Sequence, residues 1–165
     1  MIKYFFRFFT SYPYRCSTKG CKNKAHIHVD NEGYQDHKPY CEECFEKVKE
    51  DLVKRDTMIL KEICDALQVD VVKTNSADIN WNIFVYDERF GYETHSKEKA
   101  DHCQYTCWFC NQRATNTVYY YFWNAAHHFV CDSCLPIMKE REKETMKEML
   151  DKLCKKYGLQ VVNDL

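Results

Sequence analysis

The chain has 165 residues, 24 Lys and Arg against 25 Asp and Glu for a formal charge of −1, and 11 Cys but only 4 Gly and 3 Pro. This length allows one ordinary domain or two small ones. The scarcity of Gly and Pro, with a 15% aromatic fraction, excludes a low-complexity or disordered chain.

In chain order, Met1 to Phe9 is aromatic but too short to span a bilayer, and no small-residue cleavage site follows it. The chain is therefore expected off the membrane in a reducing, cytoplasmic compartment. Lys3 to Phe9 reads as a strand. Lys3, Arg7, Arg15, Lys19, Lys22 and Lys24 fall among the first 24 residues with no acid, interleaved with Phe5, Phe6, Phe8, Phe9, Tyr12 and Tyr14. Such a mixture can hold single-stranded nucleic acid, by charge on phosphates and stacking on bases. The plainer alternative is a strand with an apolar and a basic face. It is favoured because the later equivalent segment carries Asp78, Asp87, Glu88 and Glu93 instead.

Cys16 and Cys21 come next, then a hairpin, Ala25 to Asp30 returning through Tyr34 to Tyr40, with Asn31-Glu32-Gly33 as its turn. After Cys41 and Cys44, the apolar residues Phe45, Val48, Leu52, Ile59, Leu60, Ile63 and Leu67 recur at helical steps. Val69 to Val72 is an apolar tail that can return as a strand, and Thr74 to Asp78 is the boundary. Ile79 to Tyr86 reads as a second aromatic strand and Glu93 to Asp101 as a solvated loop. Cys107 and Cys110 precede a hairpin from Ala114 to Trp123 and from His127 to Val130, turning at Asn124-Ala125-Ala126. After Cys131 and Cys134, the residues Leu135, Met138, Met146, Met149, Leu150, Leu153 and Tyr157 mark a second amphipathic helix, with Gly158 as its stop and Leu159 to Val162 as its tail.

The two halves repeat. Cys41, Cys44, Leu60 and Cys64 recur 90 residues later as Cys131, Cys134, Leu150 and Cys154, and Val71-Val72 recur as Val161-Val162. Upstream the offset is 89: Cys21 maps to Cys110, Ala25 to Ala114 and Val29 to Val118. A one-residue difference in the hairpin explains the change. His37 and His127 stand at similar places ahead of the second pairs. The chain divides by this repeat into units 1–75 and 76–165.

In a reducing compartment, paired cysteines at these spacings read as metal ligands rather than disulfides. Zinc takes four soft ligands in a tetrahedron, and a C-x2-C turn sets two thiolates on one side of it. The expected sites are Cys16, Cys21, Cys41 and Cys44, and Cys107, Cys110, Cys131 and Cys134, each with one structural Zn2+. Cys103 is an alternative to Cys107. Cys64 and Cys154 sit on apolar helix faces and read as core. With both sites filled, thiolates and metal bring the net charge to about −5, poor for binding a phosphate backbone globally.

The arrangement resembles the treble-clef class of zinc finger. Cys41-Glu-Glu-Cys44 and Cys131-Asp-Ser-Cys134 match its helix-opening ligands and Cys107-Trp-Phe-Cys110 its knuckle, whereas Cys16-Ser-Thr-Lys-Gly-Cys21 has a longer spacer. The resemblance covers roughly residues 16–67 and 107–157. It implies an α+β protein of two tandem, homologous units, each an aromatic strand and hairpin followed by a long helix. Treble clefs serve many roles, so it leaves function open.

Four-thiolate sites are closed and lack the open position catalysis requires, so no enzyme is expected. His127-His128 is similar to the metal-binding histidines of His-Asn-His nucleases, but the rest of that motif is missing. The run Tyr119, Tyr120, Tyr121, Phe122 and Trp123 puts rings on both faces of a strand, which suits a partner interface. Residue usage, rich in Lys, Asn, Asp, Tyr and Phe, resembles that of small proteins of large lytic phages, many of which bind and redirect a host enzyme. The expected role is a zinc-stabilised protein-binding module that regulates or inhibits its partner. A nucleic-acid-binding regulator is the alternative, and a metal-dependent nuclease the second. Duplication supplies an internal pseudo-twofold, so a homodimer is not required.

Overall fold

The computed structural model describes residues 6–8, 15–25, 27–29, 38–74, 78–81, 83, 85–94, 105–121 and 127–162. They form mixed α/β structure with small antiparallel sheets. The elements are β1 (Phe6–Phe8), β2 (Ile27–Val29), β3 (Lys38–Tyr40), α1 (Glu42–Leu67), β4 (Asp70–Lys73), β5 (Phe90–Thr94), β6 (Asn116–Tyr120), β7 (His127–Val130), α2 (Leu135–Tyr157) and β8 (Leu159–Val162). Among the described residues, no helix is long and apolar enough to cross a membrane.

The chain forms two compact units, Met1–Val85 with Lys152–Leu165, and Tyr86–Asp151. These lines differ from the sequence repeat at 1–75 and 76–165. The physical reason is β8, which follows α2 and pairs antiparallel with β4, Val71 opposite Val161 and Lys73 opposite Leu159. That ladder binds the last segment of the chain to the first unit.

In the first unit, β1, β2 and β3 make an antiparallel sheet in sequence order, with Phe6 opposite Val29 and Ile27 opposite Tyr40. Helix α1 then opens at Cys41, whose backbone is extended (φ −79°, ψ 164°), with Glu42 and Glu43 in its first turn. Acids there complement the helix dipole. Phe45, Ile59 and Ile63 of the apolar stripe are buried. The helix ends at Gln68, in the left-handed region at φ 55°.

One polar residue shares that stripe. Asp56 is fully buried, and its carboxylate accepts hydrogen bonds from Lys156 Nζ (2.5 Å), Tyr157 Oη (2.8 Å) and Arg55 Nη2 (2.8 Å). Arg55 Nη2 also donates to the Val85 carbonyl at 2.8 Å. Lys156 is itself buried, with Nζ 5.3 Å from the Trp81 ring centre. Burial and the neighbouring carboxylate push the Tyr157 hydroxyl well above its usual pKa.

In the second unit, β5, β6 and β7 again make an antiparallel sheet in sequence order. The first of these strands is Phe90–Thr94, not the expected Ile79–Tyr86. Around Trp81 the backbone is spent elsewhere. Asn80 N–H donates to the Lys156 carbonyl, Ile83 N–H turns back to Asn80, and the Val85 carbonyl receives Arg55. Phe90 belongs to a core with Val118, Val130, Met138, Cys107, Cys131 and Cys134. Glu93 and Thr94, expected in a loop, close the strand. Helix α2 stops where Gly158 takes φ 63°, the conformation expected of it.

Gly91 pairs with Tyr119 across β5 and β6. The Tyr119 ring folds over the glycine, so that a methyl group added at Gly91 would overlap the ring and its hydroxyl. Gly91→Ala is expected to expel the ring and destabilise the second unit by about 1–3 kcal/mol, as overpacking does. Urea unfolding followed by tyrosine fluorescence measures this, and an unchanged midpoint would show that the ring contributes nothing there.

Candidate metal centres

Each unit gathers four cysteines. Cys16 and Cys21 lie on a knuckle before β2, Cys41 follows β3, and Cys44 is in the first turn of α1. Cys107 and Cys110 lie on a knuckle before β6, Cys131 follows β7, and Cys134 precedes α2. Within each set all four sulfurs lie within 4.8 Å of one another. The separation is 3.7 Å for Cys21 and Cys41, and 3.6 Å for Cys110 and Cys131. A disulfide holds its sulfurs about 2.05 Å apart, and these thiols are free. A tetrahedral ion with sulfur at about 2.3 Å spaces its ligands about 3.8 Å apart. The donor sets therefore fit one metal ion each.

The same backbone hydrogen bonds build both sites. The first knuckle cysteine donates to the residue two places after the second, Cys16 to Asn23 (3.1 Å) and Cys107 to Gln112 (2.6 Å). The next amide reaches the hairpin two residues before the third ligand, Ser17 to Pro39 (2.8 Å) and Trp108 to Phe129 (2.9 Å). The third ligand's carbonyl starts the helix, accepting from Phe45 (2.9 Å) or Leu135 (3.0 Å). A single antiparallel bridge flanks each knuckle, Arg15 with Lys24 and Thr106 with Arg113. The longer first spacer turns at Gly20 (φ 83°), whereas the second knuckle turns just past its second cysteine, at Asn111 (φ 58°); both residue types suit that region.

Four adjacent thiolates repel one another, which divides each set. Burial would raise the Cys16 thiol, but the Cys41 amide and the Thr18 amide and hydroxyl outweigh it and bring it down to about 6. The Asn23 amide favours the Cys21 thiolate, yet burial and the three neighbouring sulfurs push that thiol up to about 12. In the second set Cys107 is likewise brought down to about 6, while Cys134, the counterpart of Cys44, is pushed up to about 12 by burial and the neighbouring sulfurs. A divalent cation removes this conflict, because it takes all four sulfurs as thiolates.

The second centre has a brace that sequence reasoning missed. Buried Asn116 donates from Nδ2 to the Val130 carbonyl (3.3 Å) and to Asp132 Oδ1 (2.8 Å), and Thr115 Oγ1 donates to the same oxygen (2.7 Å). Thr115 and Asn116 hold the Asp132 carboxyl below its usual range, and Asp132 lies inside the Cys131–Cys134 turn. The available signal was an amide sharing the strand parity of buried Val118.

The other expected residues fall as follows. Cys154 is buried and Cys64 half-buried, and neither joins a cluster. His127 is exposed, with its ring 6.3 Å from Tyr119. His128 lies between Trp108 and Tyr120, and its Nδ1 is buried without a hydrogen-bond partner among the described residues. Tyr119 and Tyr120 are half-buried, and Tyr121 is exposed with the Arg89 guanidinium 5.1 Å over its ring. Arg15, Lys19, Lys22 and Lys24 are exposed on the first knuckle, and Arg7 sits in β1 opposite His28. Lys3, His37, Cys103, Phe122 and Trp123 lie outside the described residues. No family model, curated protein or solved structure matches the chain.

Proposed function

We propose that the chain is a zinc-stabilised binding protein, two related treble-clef-like units that engage a partner protein and regulate or inhibit it without chemistry of their own. The observation that carries this is the sulfur geometry. Four sulfurs within 4.8 Å of one another suit a single tetrahedral ion, and a four-thiolate shell of that kind would leave no position for water or substrate. An all-sulfur set favours zinc over the hard cations that need oxygen ligands.

Common descent of the units is supported by the matched hydrogen bonds and bridges of the two knuckles. The left-handed helix stops Gln68 and Gly158 are also equivalent under the 90-residue offset, as are the paired Val71 and Val161.

The partner surface is assigned to the second unit around Tyr121, which is 54% exposed beside Arg89. Tyr and Arg are the residue types that dominate binding energy at interfaces. Capture from the source cell, followed by mass spectrometry, tests this. A protein is expected at stoichiometric yield, with affinity weakened about tenfold or more by Tyr121→Ala. Recovery of nucleic acid without protein would overturn it.

A further inference from the structure

The knuckle of the first unit is a concentrated positive patch. Arg15, Lys19, Lys22 and Lys24 are all exposed, with no carboxylate between Arg15 and Ala25. Among the described residues none of the four forms an ion pair. Arg15 and Lys24 stand opposite each other across their bridge, and like charges so placed destabilise a strand pair. A zinc tetrathiolate beneath them contributes two negative charges, which the four cations exceed. The unfavourable overall charge does not oppose this locally, because exposed charges beyond about 8 Å are screened at physiological salt.

The second knuckle shares the flanking backbone hydrogen bonds of the first but carries different side chains. Trp108 stands where Ser17 does and is 66% exposed, its ring meeting His128 edge-to-face at 4.6 Å. Tyr105 is 51% exposed and stacks on Phe129 at 3.8 Å. Exposed Asn111, Gln112 and Arg113 follow, and residues 105–113 contain no acid. Exposed rings are platforms for unpaired bases, and amide and guanidinium groups bond base edges.

From the charge of one knuckle and the rings of the other, we infer that the protein also binds single-stranded nucleic acid. Arg15, Lys19, Lys22 and Lys24 hold phosphates, and Trp108 and Tyr105 stack bases. Each knuckle is a contact in its own right. A duplex keeps its bases stacked away from such rings, and an acidic protein offers no bases to them. The inference does not depend on the protein partner proposed above.

The test is a fluorescence-anisotropy titration of the zinc-loaded full chain with a short labelled single strand of mixed sequence. Four phosphate contacts predict a log–log salt slope of about −3, so affinity falls about fifty-fold between about 50 and 200 mM salt. K19E/K22E/K24E, with metal content unchanged, is expected to lose more than tenfold and to flatten the slope. Lys24→Glu alone, outside the Cys16–Cys21 loop, lowers the slope by about one contact and serves if the triple variant loses metal. In the K19E/K22E/K24E chain, Trp108→Ala is expected to lower the remaining affinity by about tenfold, since the second knuckle holds bases by stacking on its own. No binding at low salt, equal affinity for the matching duplex, indifference to charge reversal, or binding to phosphatidylserine vesicles but not to the strand would each overturn the inference.

Discussion

Replacing Cys131 with serine is expected to release one of two metal ions and to unfold the second unit, while the first keeps its ion. Three of the four sulfurs of that unit are not appended to a core; they are part of it. Cys107, Cys131 and Cys134 pack with Phe90, Val118, Val130 and Met138. A unit of this size has a thin core, and such units often rely on a metal or disulfide staple. Structural zinc contributes about 10–16 kcal/mol of apparent binding energy, against a whole-domain stability of about 5–15 kcal/mol. Loss of the ion therefore removes the fold of β5, β6 and β7.

Cys41→Ser is expected to act on the first unit in a graded way. Its sulfurs pack mainly with one another and Tyr40, whereas Ile59, Ile63, the β4–β8 ladder and the Asp56 network use none of them. The knuckle, β1–β3 and the start of α1 should lose hydrogen-exchange protection, and the later part of α1 should keep more of it. Metal content and exchange on both variants measure this. A Cys131→Ser protein with two ions, or with β5–β7 still protected, would contradict the assignment.

The second large effect is expected at Lys156. Lys156→Met leaves the Asp56 carboxylate fully buried without its closest cation. Breaking a buried pair from one side costs about 3–5 kcal/mol, and the lower end applies here because Arg55 and Tyr157 still donate to Asp56. Asp56→Leu combined with Lys156→Met is expected to recover most of the loss, since a well-packed apolar pair is often as stable as a buried ion pair. Denaturant unfolding of the metal-loaded chain, read through Trp81 beside Lys156, gives both values. A single variant within experimental error of the parent would show that the network adds nothing to stability.

What the chain order revealed was local. Cysteine spacing exposed both cysteine clusters because each knuckle and each helix start is a contiguous piece of chain. The stripes of α1 and α2 were legible because a helix repeats its buried face every three or four residues. Gly158 was legible as a stop because few other residues take a left-handed conformation so readily.

The rest depends on partners distant in sequence. Asp56 follows Leu52 and precedes Ile59 on an apolar stripe, which marks it as unusual, but Lys156 lies 100 residues away and nothing local names it. The β4–β8 pairing is hidden for the same reason, since both tails read equally well as edge strands. Ring alternation marks Ile79–Tyr86 as a strand, whereas Phe90-Gly91-Tyr92 carries no such local mark, because its glycine gains its value only from the Tyr119 ring that covers it.

X-ray absorption at the zinc edge, combined with elemental analysis of the purified chain, decides whether each cysteine cluster is a closed sulfur cage around a metal ion. The predicted result is two zinc ions per chain, each with four sulfur neighbours at about 2.3 Å and no nitrogen or oxygen in the coordination shell. Fewer than two ions, or a shell containing water or histidine, would contradict it.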